Sequence, residues 1–103
     1  MLKPIQKQTP YIHVFKLSSG EEIITKVTEE LHDGYMIVKP LTMVMGAKGF
    51  QFAPFMFLAN TDVPLKINKS LIMGDGSAVI ELENQYESVT TGIALPQKSS
   101  III

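Results

Sequence analysis

The chain has no cysteine and no tryptophan, and neither sign of charge dominates: nine basic residues face ten acidic ones, a formal net charge of −1. The lack of cysteine removes disulfides, thiolate metal sites and a thiol nucleophile together. Near neutrality argues against a broad basic face of the kind that phosphate contacts require, although a few clustered lysines can still meet RNA locally. No apolar run approaches a membrane span. The densest, Ala53-Pro54-Phe55-Met56-Phe57-Leu58-Ala59, is of strand length and is broken by proline. The start, Met1-Leu2-Lys3-Pro4-Ile5-Gln6-Lys7, has the charge of a signal peptide but no apolar region behind it. The protein is therefore expected to stay where it is made, with no membrane partner.

What is present is apolar surface. Of 103 residues 46% are hydrophobic and only 18% charged, which excludes a disordered chain and predicts one domain around one modest core. So short a chain does not easily bury that much apolar surface alone, so the composition points to self-association.

Residues 1–10, with Pro4 and Pro10, read as an arm. Tyr11 to Leu17 is rich in β-branched and aromatic residues and predicts a first strand. Ser18-Ser19-Gly20-Glu21 signals a turn, and Glu22 to Thr28 a second strand. His32-Asp33-Gly34 is a hairpin-closing turn, after which a third strand runs from Tyr35 to Val44 through Pro40, a residue suited to an edge or a bend. Phe50 to Leu58 predicts a fourth strand interrupted at Pro54, and Pro64 to Met73 a fifth. Gly74-Asp75-Gly76-Ser77 then stops the β pattern. Val79, Leu82, Tyr86 and Val89 recur at spacings of three and four, predicting an amphipathic helix over 77–90. Residues 91–103 read as an extended tail. The expectation is a mostly-β domain, with residues 11–73 forming a compact sheet and a C-terminal α-helix following it.

Catalysis has little to work with. His13 and His32 lie in a strand and a turn without a serine motif or metal spacing, and read as ordinary strand and turn side chains. Glu21-Glu22 and Glu29-Glu30 are adjacent on strands, where neighbours point to opposite faces, so they form no carboxylate dyad. Gly74-Asp75-Gly76-Ser77 lacks the lysine and spacing of a phosphate loop. No enzyme, cofactor or metal site is expected. The Phe50–Leu58 segment, apolar on both faces, needs cover on both sides, and a second copy of the chain is the expected cover.

The strand–Ser-Gly–strand–Asp-Gly–strand opening resembles the Sm-like family. Phe15, Leu17, Gly20, Ile23 and Val27 stand at the apolar and glycine positions of its first motif, with Asp33 in the following turn. Its second motif is echoed by Ile67-Asn68-Lys69-Ser70-Leu71-Ile72. These matches cover roughly residues 12–73. With the helix placed after the sheet, the whole chain is similar to the small Sm-like proteins of tailed phages and cyanophages. The resemblance implies a five-stranded, strongly bent antiparallel sheet of the Sm-like or SH3-like barrel type. It also implies a homo-oligomeric ring made by pairing the fourth strand of one subunit with the fifth of the next. Phe50, Phe52, Phe55, Phe57, Leu65 and Ile67 are then the interface residues. For a phage-encoded protein the compartment would be the cytoplasm of a bacterial host.

The same resemblance implies single-stranded RNA as a partner, held by Asp33, Tyr35, Asn68 and Lys69. Tyr35 would stack on a base, Asn68 would bond a base edge and Lys69 would meet a phosphate. The chain departs from the family pattern here: Met36 or Ile37 stands where an asparagine is usual, and Asn68 and Lys69 stand in the arginine and glycine positions. Three readings follow. An RNA-binding ring, a chaperone or regulator, requires Tyr35, Asn68, Lys69 and Lys48 or Lys66 on one positive surface. An adaptor ring that binds phage or host proteins requires an exposed apolar or Met-rich surface including Met43, Met45 and Met56. An isolated monomer requires neither.

Overall fold

The computed structural model describes residues 8–91. The elements are β1 (Tyr11–Leu17), β2 (Glu22–Glu30), β3 (Gly34–Gly46), β4 (Gly49–Pro54), β5 (Leu65–Asn68), a 3-10 turn (Lys69–Leu71), β6 (Ile72–Gly76) and α1 (Ile80–Thr91). The mostly-β fold with one helix at the C-terminal side is as expected. All strand pairings are antiparallel, in the order β4-β3-β2-β1-β6, with β5 also paired to β3.

β3 organises the sheet. Its first half, Gly34 to Ile37, pairs with β5, and its second half, Leu41 to Gly46, pairs with β4. Between them β3 bulges, because Val38 and Leu41 oppose Lys26 and Ile24, which leaves two residues, Lys39 and Pro40, facing the single residue Thr25. Lys39 has a φ of 51°, and Pro40 follows it. A non-glycine in the left-handed region ahead of proline makes a sharp turn of the strand. Its amide does not go unpaired: Lys39 N donates to Thr61 O at 2.8 Å, and Phe55 N donates to Pro40 O at 3.0 Å. A second bulge, at Thr28 of β2, adds to the bend.

Bending gives the sheet two packed faces. On one, Phe15, Leu17, Ile23, Val27, Ile37 and Ile67 form a buried cluster, with Tyr11, Tyr35, Phe55, Leu65 and Ile72 against it. On the other, Ile12, Ile24 and Tyr86 are buried, with Val14, Leu41, Phe52, Ala78 and Leu82 around them. Helix α1 covers this second face, and its Tyr86 is fully buried.

Several boundaries differ from the sequence reading, β2 and β3 by no more than two residues. The fourth strand ends at Pro54 rather than Leu58, since proline has no amide to extend the ladder. The predicted fifth strand is two strands, because the segment passes from the edge of β3 to the edge of β1 through the 3-10 turn. This makes six strands among the described residues where five were expected; the sheet is bent, as expected, and open. Gly74, Asp75 and Gly76 belong to β6, so they continue the β pattern and α1 begins at Ile80, not 77. The predicted arm at residues 1–7 and tail from residue 92 lie outside the described residues.

Candidate functional site

Two surfaces stand out, at opposite ends of β3. The first is the corner where the β2–β3 turn meets the end of β5. Gly34 pairs with Asn68 and Tyr35 with Ile67, so the register brings Asp33, Tyr35, Asn68 and Lys69 together. Lys69 N donates to Asp33 O at 2.8 Å, and Lys66 Nζ donates to Asp33 Oδ2 at 2.9 Å. The Lys66 hydrogen bond holds the Asp33 carboxyl below its usual range. The Lys69 ammonium sits 5.6 Å from the centre of the Tyr35 ring, a cation–π distance.

The corner contains more than the sequence indicated. Tyr35 is half-buried against Phe15, with ring centres 4.9 Å apart. Phe15 in turn contacts His13, and His13 contacts Tyr11, edge to face at 5.2 and 5.4 Å. The Tyr11 phenol donates to Glu30, and His13 Nε2 lies 2.9 Å from Asp75 Oδ1. His13 Nδ1 is buried without a hydrogen-bond partner. Burial, then the nearby Asp75 and Glu30 carboxylates, push the Tyr35 phenol up; burial and the Glu30 hydrogen bond do the same to Tyr11. No linear signal could have found His13, Tyr11, Glu30 and Asp75 together, because Asp75 arrives by the long-range β1–β6 pairing.

These carboxylates decide the electrostatics. Lys66 is paired with Asp33, and Glu30 and Asp75 flank Tyr35, so Lys69 is left as the main positive contribution. Lys48 lies at the far end of β3, roughly 30–40 Å of strand away. The corner is mixed in sign rather than positive. Among the described residues no group of three or more histidines and carboxylates could hold a metal ion. No helix among them is long and apolar enough to cross a membrane.

The second surface is the β3–β4 hairpin, turned at Gly46–Gly49, where Gly49 has the positive φ of 112° that favours glycine. Met43 faces Phe52 and Met45 faces Phe50 across the two strands. The row starts under α1, where Leu41 and Phe52 pack, and runs out beyond the helix. There Met45 and Phe50 are 68% and 67% exposed, with Met43 and Val44 also exposed. Among the described residues β4 has one partner strand, so no described strand covers its outer edge. The predicted interface set divides accordingly: Phe50 and Phe57 are exposed, Phe52, Phe55 and Leu65 are half-buried against the two clusters, and Ile67 is buried in the core. At the other end of the sheet, β6 also has an edge that no described strand covers, beside exposed Leu71, Met73, Val79 and Ile80. No protein-family model matches the chain, and no curated protein matches it either.

Proposed function

We propose that this is a non-catalytic assembly protein that associates head to tail with copies of itself, the β4 edge of one copy meeting the β6 edge of the next. The observation that carries the reading is the Met45–Phe50 row on the open-edged hairpin, apolar and exposed among the described residues. Open strand edges with exposed apolar side chains are templates for pairing with another chain. The two edges differ, so their contact is heterologous, and a heterologous contact repeats until a ring closes or a filament grows. The Sm-like resemblance favours the ring, and with it an adaptor role toward phage or host proteins in a bacterial cytoplasm.

Native mass spectrometry of the full chain tests this. The expected result is a single multiple of the chain mass. Phe50→Lys and Met73→Lys each leave one intact edge, so each alone should fall to monomer and an equimolar mixture should give dimers only. Loss of one large buried contact, about 2 kcal/mol, weakens each contact about thirtyfold. A monomeric parent chain, or a dimer indifferent to both substitutions, would sink the reading.

A second reading rests on the meeting of Asp33, Tyr35, Asn68 and Lys69 at one corner. In it the ring binds single-stranded RNA there, as a chaperone or regulator. The same spectra recorded with a short uridine- or adenine-rich RNA decide it: a mass gain lost in Tyr35→Ala with Lys69→Ala supports it. A ring that ignores RNA at low salt leaves only the assembly reading.

A further inference from the structure

The chain has no cysteine, so its sulfur is carried by six methionines. Among the described residues Met45 and Met73 are the most exposed of them, each at 68%. Met56 and Met43 follow at 41% and 37%, and Met36 is half-buried. The two most exposed are divided between the two surfaces of the head-to-tail contact. Met45 stands on the β3–β4 hairpin opposite Phe50, and Met73 stands in β6. Exposed apolar side chains accompany each, Val44 and Phe50 on the hairpin and Leu71, Val79 and Ile80 beside β6. Neither sulfur belongs to the two packed clusters that hold the fold together.

A thioether is a soft, flexible apolar group that packs well against aromatic rings. Peroxide changes that character. The sulfur lone pair attacks one peroxide oxygen, an S–O bond forms as the O–O bond breaks, and a proton passes to the departing oxygen, which leaves as water. Sulfur loses two electrons and peroxide gains them. The resulting sulfoxide is polar and is out of place in an apolar contact. A methionine sulfoxide reductase reverses the change: a dithiol becomes a disulfide, and the oxygen leaves as water.

We propose that Met45 and Met73 are oxidation sites that decide whether the chain assembles, their sulfoxides blocking the hairpin and the β6 edge respectively. The inference rests on the assembly reading. Each contact joins the hairpin of one copy to β6 of the next, so it holds one of these sulfurs from either side and is weakened by a sulfoxide on either. Assembly covers both, so peroxide acts on the free chain, and the assembly dissolves by mass action as free chains are consumed. Because neither side chain is part of the core, the oxidised chain stays folded and can be repaired.

Native mass spectra of the full chain are recorded untreated, after dilute hydrogen peroxide, and after repair with the reductases for both sulfoxide epimers and dithiothreitol. Peptide mapping locates the added oxygen. The expected result is oxidation of Met45 and Met73 before Met36, with affinity between copies lowered at least about tenfold. The β-sheet circular dichroism stays unchanged, and repair restores the assembly. Met45→Leu with Met73→Leu conserves volume, so this variant should assemble as the parent does and resist peroxide. An assembly that persists with both sulfurs oxidised overturns the proposal. So does a leucine variant that peroxide also dissociates, or a dissociation accompanied by loss of the sheet signal. A monomeric untreated chain sinks the assembly reading itself, and this inference with it.

Discussion

The phenol oxygen of Tyr86 lies 2.8 Å from the carbonyl oxygen of Lys39, the non-glycine residue that turns β3 with a positive φ. Val38 O is 3.2 Å from the same hydroxyl. Val38 O also accepts from Thr25 Oγ1 at 2.7 Å, so the donor that the helix supplies from a fully buried ring serves chiefly the Lys39 carbonyl. Tyr86→Phe keeps the ring and leaves the Lys39 carbonyl without this donor, while Val38 O keeps Thr25. The expected cost is about 1–2 kcal/mol in urea unfolding, that of a buried acceptor left unsatisfied. Tyr86→Ala removes the ring as well and should cost about 3–5 kcal/mol. Equal effects of the two would show that the hydroxyl carries all of the stabilisation.

Where side-chain alternation and turn chemistry coincide, the fold was legible. Tyr11–Leu17 is the observed β1, and Gly20 and Asp33-Gly34 mark the turns around β2. The break between β5 and β6 was not legible, because Leu65, Ile67, Leu71 and Met73 keep the period of two straight through the 3-10 turn. That turn exists because the segment changes partners from β3 to β1, a long-range event with no local signature. Phe55, Phe57 and Leu58 look like strand residues for the same reason, yet Pro54 ends the ladder before them. At the corner, the meeting of Asp33 with Asn68 and Lys69 followed from the family resemblance. The Glu30 and Asp75 carboxylates that alter its charge depend on tertiary placement alone.

Gly34 sets how closely β3 and β5 approach. A Cβ at this position would fall inside contact distance of the Ile67 carbonyl oxygen. That oxygen is backbone and cannot swing away, so Gly34→Ala should force the strands apart at the Gly34–Asn68 pair. The expected destabilisation is about 1–3 kcal/mol, as for an overpacked core site. Amide shifts in an NMR spectrum should move at Asn68 and Lys69 before those of β1 respond. An unchanged unfolding midpoint would show that the sheet absorbs the methyl group elsewhere.

The Asp33–Lys66 pair is exposed and should tune a titration rather than the fold. Asp33 is lowered chiefly by the Lys66 hydrogen bond, so its contribution is present above the ordinary carboxylate range and is lost as the pH falls through its depressed midpoint. Lys66→Met should return the Asp33 midpoint upward toward the ordinary carboxylate range, read from its carboxyl carbon by NMR. Thermal unfolding at neutral pH should barely change, as expected for an exposed pair. A midpoint unmoved by Lys66→Met would mean that the ammonium does not hold the carboxylate in solution.

All three tyrosines of the chain, Tyr11, Tyr35 and Tyr86, have phenols raised above their ordinary value, burial being the largest cause in each. The folded state therefore favours the neutral phenol. Below about pH 10 both folded and unfolded chains keep the proton, and stability is unaffected. Above it the unfolded chain ionises first, which draws the equilibrium toward unfolding, so stability falls as the pH climbs. Without tryptophan, ultraviolet difference absorbance reports tyrosinate cleanly. The expected record is little tyrosinate where free tyrosine would be half ionised, followed by a steep rise together with loss of β-sheet circular dichroism. Tyr86→Phe should bring that joint transition to lower pH, because it weakens the fold. Gradual ionisation at ordinary midpoints, with the sheet still intact, would place the phenols in solvent and remove the basis for a packed corner around Tyr11 and Tyr35.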